Sequence, residues 1–202
     1  MDKLRLKVSK LISKNRYIKN YKPNKNKDFH SLSYLIRDKT LSQSDYIKAG
    51  IAMEKVLRDL ILDFNKDLVC IKPKNIKNFK EKDHLFLNDT TKEIFYSELK
   101  ANLNLDTEKS KSTYKKCLSI VEELNKEYPD YSIKWCLLGL RYHTTGTINN
   151  SILKKYKKIK RNVYGVNNYF NMLEIPVYYS EEEYADFVNE VVNTMCKTDQ
   201  NT

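Results

Sequence analysis

The sequence lacks long apolar runs, and its cysteines are not spaced to bind a metal. No segment of the 202 residues approaches the roughly 20 apolar residues of a transmembrane helix. The basic N-terminal stretch has no continuous apolar region and no small-residue cleavage site, so we expect no signal peptide. The four cysteines are far apart and form no Cys-x-x-Cys motif, which argues against a zinc site and a disulfide scaffold. We therefore expect reduced, mostly buried thiols in a protein of the cytoplasm.

The sequence has an excess of positive charge. Lys and Arg together number 37 against 26 Asp and Glu, which gives a formal net charge of +11. Such an excess favours a polyanionic partner, nucleic acid first and an acidic membrane surface second. Hydrophobic and charged contents of 41% and 31% are typical of a globular protein. We expect one domain over residues 1–202, with a basic amphipathic helix at about 3–20 and a loose tail at about 198–202.

One apolar stretch, residues 93–101, predicts a central strand that carries two charges. Glu98 and Lys100 have the same parity, and residues two apart on a strand share a face. Buried charge is costly unless it is paired or binds an ion. The pair is therefore either part of a functional site or a solvated salt bridge on a half-exposed strand.

A second apolar run, residues 84–87, begins directly after Asp83. Turn residues at 88–91 separate the two runs, which predicts a β-hairpin. Asp83, at the mouth of the first strand, can approach Glu98 on the second. Two converging carboxylates repel each other, and a hard divalent cation such as Mg²⁺ relieves that repulsion. The neighbouring Lys100 would stabilise the charge that develops on an attacked phosphate.

Two other carboxylates are candidates for the same site. Asp89 is closer in sequence to the second strand, but it lies in the predicted turn, where Asp has a structural reason to occur. Asp83 is therefore preferred. Glu54 lies beside the apolar face of a predicted helix. It either forms a salt bridge with Arg58 one turn on or supplies a third acidic group to the metal site.

Asp83, the strand after it and the tripeptide 98–100 resemble the PD-(D/E)xK motif of nucleases, best known from type II restriction endonucleases. The usual proline before the aspartate is absent, because position 82 is lysine. The resemblance implies an α/β fold with a central mixed β-sheet flanked by helices, the restriction-endonuclease-like core. It implies metal-dependent hydrolysis of double-stranded DNA, with Asp83, Glu98 and Glu54 as metal ligands. Lys100 would orient the nucleophile or stabilise the transition state.

The same resemblance implies a cofactor, partners and a compartment. The cofactor would be one or two Mg²⁺ ions, with Mn²⁺ able to substitute. A palindromic target would be met by a two-fold homodimer, and a cognate DNA methyltransferase is expected in the same restriction-modification system. No membrane partner is expected, and the location would be a bacterial cytoplasm.

The remaining periodicity also predicts an α/β protein. A helix at about 108–127, capped by Asp106 or Thr107, joins the strand at 93–101 to a strand at 131–142. A helix between two strands implies a parallel crossover. Its inward residues are predicted to be Tyr114, Cys117, Leu118, Ile120, Val121 and Leu124. Further helices are predicted at about 45–64, capped by Ser44 or Asp45, at 163–175, and from a cap at Ser180 to about Lys197.

Candidate DNA contacts fall in several places along the chain. Lysines position a protein on phosphates, and asparagine can pair bidentately with adenine. Six of the eight residues at 154–161 are basic, which suits DNA backbone contact if the segment is helical with charge all round. The candidates are Asn102, Asn104 and Asn167 as base readers; Lys109, Ser110 and Lys111 at a helix start; His143, Thr144 and Thr145 at a strand end; and Lys154, Lys155, Lys157 and Lys158 in the basic run.

Two other functions remain open on the sequence. One is a repair, recombination or mobile-element nuclease of the same fold. The other is a basic nucleic-acid-binding domain without catalysis, in which Glu98 and Lys100 form only a structural pair.

Overall fold

The computed structural model describes residues 2–15, 18, 32, 35–37, 41–72 and 84–197. Its α-helices are α1 (Asp2–Lys14), α2 (Gln43–Phe64), α3 (Thr107–Glu127), α4 (Asn150–Lys155), α5 (Val166–Met172) and α6 (Glu181–Lys197). Its strands are β1 (Leu68–Cys70), β2 (His84–Asn88), β3 (Glu93–Lys100), β4 (Ser132–Gly139) and β5 (Val163–Tyr164). Short 3₁₀ helices span Thr145–Thr147 and Lys157–Asn162. None of the helices described is long and apolar enough to cross a membrane.

The chain divides into two compact units. The first comprises Met1–Asp63 and Tyr179–Thr202, and the second comprises Phe64–Tyr178. The prediction of a single domain over 1–202 stays a prediction. The predicted loose tail at 198–202 lies outside the described residues, as does Asp83.

The first unit is helical. α1 packs against α6, and the apolar face predicted for α2 is buried from Ala49 to Ile61. Lys7 of α1 forms an ion pair with Asp63 of α2 at 2.8 Å. Amphipathic helices bury one apolar stripe in this way, which explains the 3.6-residue period of the sequence here.

The start predicted for α2 was wrong. α2 begins two residues earlier than expected, because Ser42 is its cap: the Asp45 amide donates to the Ser42 hydroxyl at 3.2 Å, and the Ser42 amide donates to the Asp45 carboxylate at 2.9 Å. α1 covers Asp2–Lys14 of the helix predicted at about 3–20; Ile18 is helical as well, and residues 16, 17, 19 and 20 lie outside the described residues. The Asn15 side chain accepts a hydrogen bond from the Ile18 amide, so it satisfies a backbone group outside the α1 ladder. At the other end of the chain, Ser180 caps α6 as predicted.

The second unit contains a mixed five-stranded sheet in the order β1-β2-β3-β4-β5. β1, β2 and β3 are antiparallel neighbours, whereas β3, β4 and β5 run parallel. The hairpin of β2 and β3 and the parallel crossover through α3 are both as predicted. The fold is therefore α/β, with a mixed sheet flanked by helices, and β3 is its central strand.

Alternation along β3 directs side chains to two different layers. Ile94 and Tyr96 belong to an apolar cluster with Cys117 and Ile120 of α3. On the other face, His84 lies opposite Ser97 and its ring nitrogen Nδ1 lies 2.8 Å from the hydroxyl of Tyr169 on α5. The even-numbered residues of β3 thus face α3, and the odd-numbered residues face the layer that contains α5.

Three further element predictions in this unit needed correction. Leu118, predicted to point inward, is 42% exposed, because it lies one residue beyond the buried stripe position Cys117. The strand predicted at 131–142 ends at Gly139, where the Tyr142 amide turns back to the Gly139 carbonyl. Val163 and Tyr164, predicted as helix, pair with β4 as the edge strand β5.

The cysteines of the second unit differ sharply in accessibility. Cys70 is exposed, whereas Cys117 and Cys136 are buried free thiols. Burial raises the pKa of the Cys136 thiol to about 12, and the thiolate is the reactive form. We expect iodoacetamide at pH 8 to alkylate Cys70 and to spare Cys117 and Cys136 until urea unfolds the chain. Peptide mass spectrometry measures this, and equal labelling of Cys70 and Cys136 in the native protein would contradict the burial described.

Candidate active site

The candidate site lies at the end of the central strand. Tyr96, Glu98 and Lys100 occupy alternate positions of β3 and therefore share the face that packs on α3. Glu98 is only 2% exposed. The free-energy cost of burying a carboxylate must be offset by opposite charge or hydrogen bonds, and the neighbours of Glu98 supply both.

Both oxygens of Glu98 have cationic partners. Lys100 Nζ lies 2.6 Å from Glu98 Oε1, and Lys116 of α3 donates from its Nζ to Glu98 Oε2. The Tyr96 hydroxyl also donates to Oε2, at 3.3 Å. Two ammonium groups thus contact the one buried carboxylate of Glu98, which offsets the cost of burying its charge.

Lys116 did not stand out in the sequence. It follows Lys115 in a lysine-rich helix, and only the docking of α3 on the sheet separates the two: Lys115 is exposed, whereas Lys116 points to Glu98. The one available hint was its position beside the inward Cys117, which places it at the border of the buried stripe.

The rival carboxylate Asp89 has a structural role. It lies in the turn between β2 and β3, accepts from Lys92 Nζ at 2.6 Å and accepts from the Tyr131 hydroxyl at 2.5 Å. The hydrogen bond from Lys92, followed by that from Tyr131, lowers the pKa of Asp89 below its usual value. These contacts fit the turn interpretation given to Asp89, while Asp83 lies outside the described residues.

Glu54, the predicted third acidic group, lies half-buried on α2. It belongs to the first unit, whereas Glu98 and Lys100 belong to the second. Its participation in the site stays a prediction.

The described part of the site offers one hard oxygen ligand, the Glu98 carboxylate. Among the residues described, no group of three or more His, Cys, Asp or Glu side chains could hold a metal ion. Mg²⁺ requires only one or two carboxylates and keeps several waters, whereas structural zinc takes four nitrogen or sulfur ligands. Glu98, a hard oxygen ligand, is compatible with Mg²⁺ if Asp83 supplies the second carboxylate.

Asn102 and Asn104, the candidate base readers after β3, use their side chains in hydrogen bonds that stabilise the loop they belong to. The Asn102 side chain accepts from the Asn104 amide at 2.9 Å, and the Asn104 side chain accepts from Lys155 Nζ at 2.8 Å. Lys155 also donates to the Leu105 carbonyl at 2.7 Å. Lys155 therefore ties the loop that follows the Glu98 strand to α4.

Of the three residues predicted as DNA contacts at the start of α3, one is buried and two are exposed. Asp106 caps the helix, as predicted, by accepting from the Lys109 amide at 2.7 Å. Ser110 is buried, and its hydroxyl donates to the Asp106 carbonyl at 2.8 Å. Lys109 and Lys111 are exposed, so at this helix start it is the two lysines that a phosphate can reach.

The loop at the end of β4 is braced by an asparagine. Asn168 Oδ1 accepts from the Thr144 hydroxyl at 3.0 Å and from the Thr145 amide at 2.7 Å. Asn167 is buried, and its backbone N–H donates to the backbone carbonyl of His143 at 2.8 Å. Of the side chains predicted as DNA contacts here, that of Thr144 thus helps to hold the loop against α5.

The basic run does not form a helix with charge all round. It comprises the end of α4 and the 3₁₀ helix Lys157–Asn162, joined at Tyr156. Tyr156 and Ile159 are buried in the apolar cluster beneath the sheet, because two of the eight residues are large hydrophobics at a spacing of three. The exposed side carries the lysines predicted as DNA contacts, Lys154, Lys157 and Lys158.

Tyr156 anchors this basic run through a buried hydrogen bond to the loop that follows β3. Its hydroxyl donates to the Leu103 carbonyl at 2.9 Å. We expect Tyr156→Phe to lower the free energy of unfolding by about 1–2 kcal/mol, because a buried carbonyl loses its donor. Urea denaturation measures the effect, with Tyr178→Phe, at a side chain that is 75% exposed, as the matched control. Equal effects of the two changes would contradict the anchoring role.

A scan against protein-family models found no match for this chain, and searches of the curated proteins and of the solved structures found none either.

Proposed function

We propose that the protein is a metal-dependent endonuclease that cleaves double-stranded DNA at a specific sequence, in the manner of type II restriction enzymes. The observation that carries the proposal is the buried Glu98 with Lys100 at 2.6 Å, side by side on the central strand of a mixed α/β sheet. This arrangement agrees with the spacing on which the resemblance to the PD-(D/E)xK nucleases rests.

The strand register supports Asp83 as the partner of Glu98. β2 begins at His84, whose partner on β3 is Ser97. If the antiparallel register continued by one residue, position 83 would be opposite Glu98, and residues directly opposite share a face. The approach of Asp83 to Glu98 is part of the proposal, as is the contribution of Glu54.

In this proposal the residues have separate roles. Asp83 and Glu98 would hold Mg²⁺, or Mn²⁺ in its place, and the bound metal would supply Lewis-acid activation of water and charge neutralisation at the scissile phosphate. Lys100 stabilises the charge that develops on the phosphate and orients the attacking group. The exposed Lys109, Lys111, Lys154, Lys157 and Lys158 bind the DNA backbone. A two-fold homodimer meets a palindromic target, and a methyltransferase of the same specificity protects the host DNA.

Incubation with plasmid DNA tests the proposal. We expect cleavage in Mg²⁺ that EDTA abolishes, and a discrete set of fragments on a longer duplex. Cleavage without sequence dependence would favour a repair, recombination or mobile-element nuclease instead. Absence of any metal-dependent cleavage on several long DNAs would contradict the nuclease proposal.

One observation favours a second function, a basic nucleic-acid-binding domain without catalysis. Glu98 is enclosed by Lys100 and Lys116, and a buried carboxylate with two ammonium partners can serve stability alone. In that case wild-type protein binds DNA in a salt-dependent manner and cleaves none. Glu98→Gln would then leave binding intact with no activity to lose.

A further inference from the structure

The basic run at 154–161 carries charge that its surroundings do not neutralise. Residues 131–173 contain no Asp or Glu. Five basic side chains of the run are exposed, namely Lys154, Lys157, Lys158, Lys160 and Arg161. Within the part of the chain that the structure describes, none of these five forms an ion pair, whereas Lys155 is held by Asn104 and Leu105. Like charges concentrated on one short segment repel one another, so a bound polyanion would relieve that repulsion.

Burial along the run repeats every three residues. Tyr156 and Ile159 are buried in the apolar cluster, and the half-buried Asn162 donates from Nδ2 to the Trp135 carbonyl at 3.0 Å. A 3₁₀ helix has about three residues per turn, so side chains three apart lie on one edge. The edge that contains these three residues is therefore the one that faces the core.

The two remaining edges are basic and exposed. One carries Lys157 and Lys160, and the other carries Lys158 and Arg161. We call these four residues the basic edges. Because the core-facing edge already fixes the backbone of the segment, a partner that binds the basic edges costs little backbone entropy.

The run is suited to phosphates rather than to bases or lipid. Its one aromatic ring, that of Tyr156, is buried, so the run offers no ring on which the bases of a single strand could stack. A helix that lies on a membrane inserts apolar side chains into the lipid, but the apolar side chains of this run face the core. What remains is charge alone, which binds the sugar-phosphate backbone and carries no information about base sequence.

We propose that the basic edges bind the phosphate backbone of double-stranded DNA irrespective of base sequence and without a metal ion. Lys160 and Arg161 thereby join the lysines already proposed as phosphate contacts. Only the identity of the partner, DNA, rests on the proposed function. Neither Glu98 nor cleavage is required.

Binding of the full chain to a short labelled DNA duplex, followed by fluorescence anisotropy in EDTA over a series of KCl concentrations, tests the proposal. For Lys157→Gln/Lys160→Gln, and separately for Lys158→Gln/Arg161→Gln, we expect Kd to rise about tenfold or more. The slope of log affinity against log salt concentration should fall in magnitude by about 2, since each phosphate contact contributes about 0.9. Lys157→Arg/Lys160→Arg, which keeps the charge, should bind within about threefold of wild type.

Lys92→Gln/Lys126→Gln is a control with the same change in net charge. Both lysines are exposed in the second unit, but Lys92 pairs with Asp89 at 2.6 Å and Lys126 pairs with Glu122 at 2.7 Å. A lysine already paired with a carboxylate has little charge to offer a phosphate, so we expect Kd within about threefold of wild type. Circular dichroism confirms that each variant is folded. Equal weakening by this control and by the two basic-edge variants would reduce the effect to net charge and overturn the proposal.

A second duplex of unrelated sequence and vesicles that contain phosphatidylserine distinguish the possible partners. We expect the basic-edge variants to lose the same affinity for both duplexes. A loss confined to one sequence would contradict binding irrespective of base sequence. Lost vesicle binding with unchanged duplex binding would assign the basic edges to a lipid surface and overturn the proposal.

The outcomes separate this surface from the proposed nuclease. Unchanged duplex binding by both basic-edge variants of a protein whose wild type cleaves DNA overturns the role of the basic edges and leaves the nuclease standing. Weakened binding by the variants of a protein whose wild type cleaves no DNA supports the basic edges and removes the nuclease. A wild-type protein that binds no duplex at low salt overturns the basic edges as a DNA-binding surface.

Discussion

Replacing Glu98 by Gln is expected to lower Mg²⁺-dependent cleavage of plasmid DNA by about 10³-fold or more, which corresponds to roughly 4 kcal/mol of transition-state stabilisation. Gln keeps the shape of the side chain but loses the negative charge that, in the proposed function, binds the cation. It also leaves Lys100 and Lys116 without their shared counter-charge. The measurement is the initial rate of supercoiled plasmid loss at saturating Mg²⁺, with the melting temperature recorded to separate lost activity from lost folding.

Glu93→Gln is the matched control for this change. Glu93 lies on the same strand but on the opposite face, is half-buried, and pairs with Lys134 at 2.5 Å. Partly exposed ion pairs contribute at most about 1 kcal/mol, so we expect cleavage within about threefold of wild type. A Glu98→Gln protein that folds and cleaves DNA at the wild-type rate would exclude Glu98 as a metal ligand.

Gly165→Ala is expected to lower the free energy of unfolding by about 3 kcal/mol, the upper part of the range for overpacked positions. A Cβ atom at Gly165 would lie 2.4 Å from the Thr144 carbonyl carbon and 2.6 Å from its Cα. These are backbone atoms of the braced loop at the end of β4, so they cannot rotate away as a flexible side chain could. Urea denaturation followed by circular dichroism measures the loss.

Gly146→Ala serves as the comparison, because the same loop contains a glycine with room beside it. The nearest atom to a Cβ at Gly146 would be a Thr144 methyl carbon at 3.9 Å, which is ordinary contact. We expect a change in stability of less than about 1 kcal/mol. Wild-type stability of Gly165→Ala would mean that the loop and α5 do not approach each other as closely as described.

Elements with a strong local period were predictable from the sequence, and those set by tertiary contacts were not. The alternating pattern of residues 93–101 predicts the central strand and places Glu98 beside Lys100. The helical period at 108–127 predicts the crossover helix. The sequence predicts helix at Val163 and Tyr164, because a two-residue strand has no period of its own. Their strand conformation comes from pairing with β4.

The candidate site was predictable only where it lies on one strand. Residues two apart on a strand need no knowledge of the fold to be placed together. Lys116 is separated from Glu98 by 18 positions, and its contact depends on the rotation of α3 against the sheet. The inward placement predicted for Leu118 failed for the same reason, because a helical period alone leaves the borders of the buried face undefined.

Lys154 and Lys155 contribute to the basic run in different ways. Lys155 bridges the Asn104 side chain and the Leu105 carbonyl, whereas its neighbour Lys154 extends into solvent. Charge removal at Lys154 alters only what the surface offers to an approaching polyanion. The same change at Lys155 also removes the hydrogen bonds that hold the loop after β3. Equal losses of DNA affinity at the two lysines would therefore have different causes: lost surface charge at Lys154, and lost charge together with a displaced loop at Lys155.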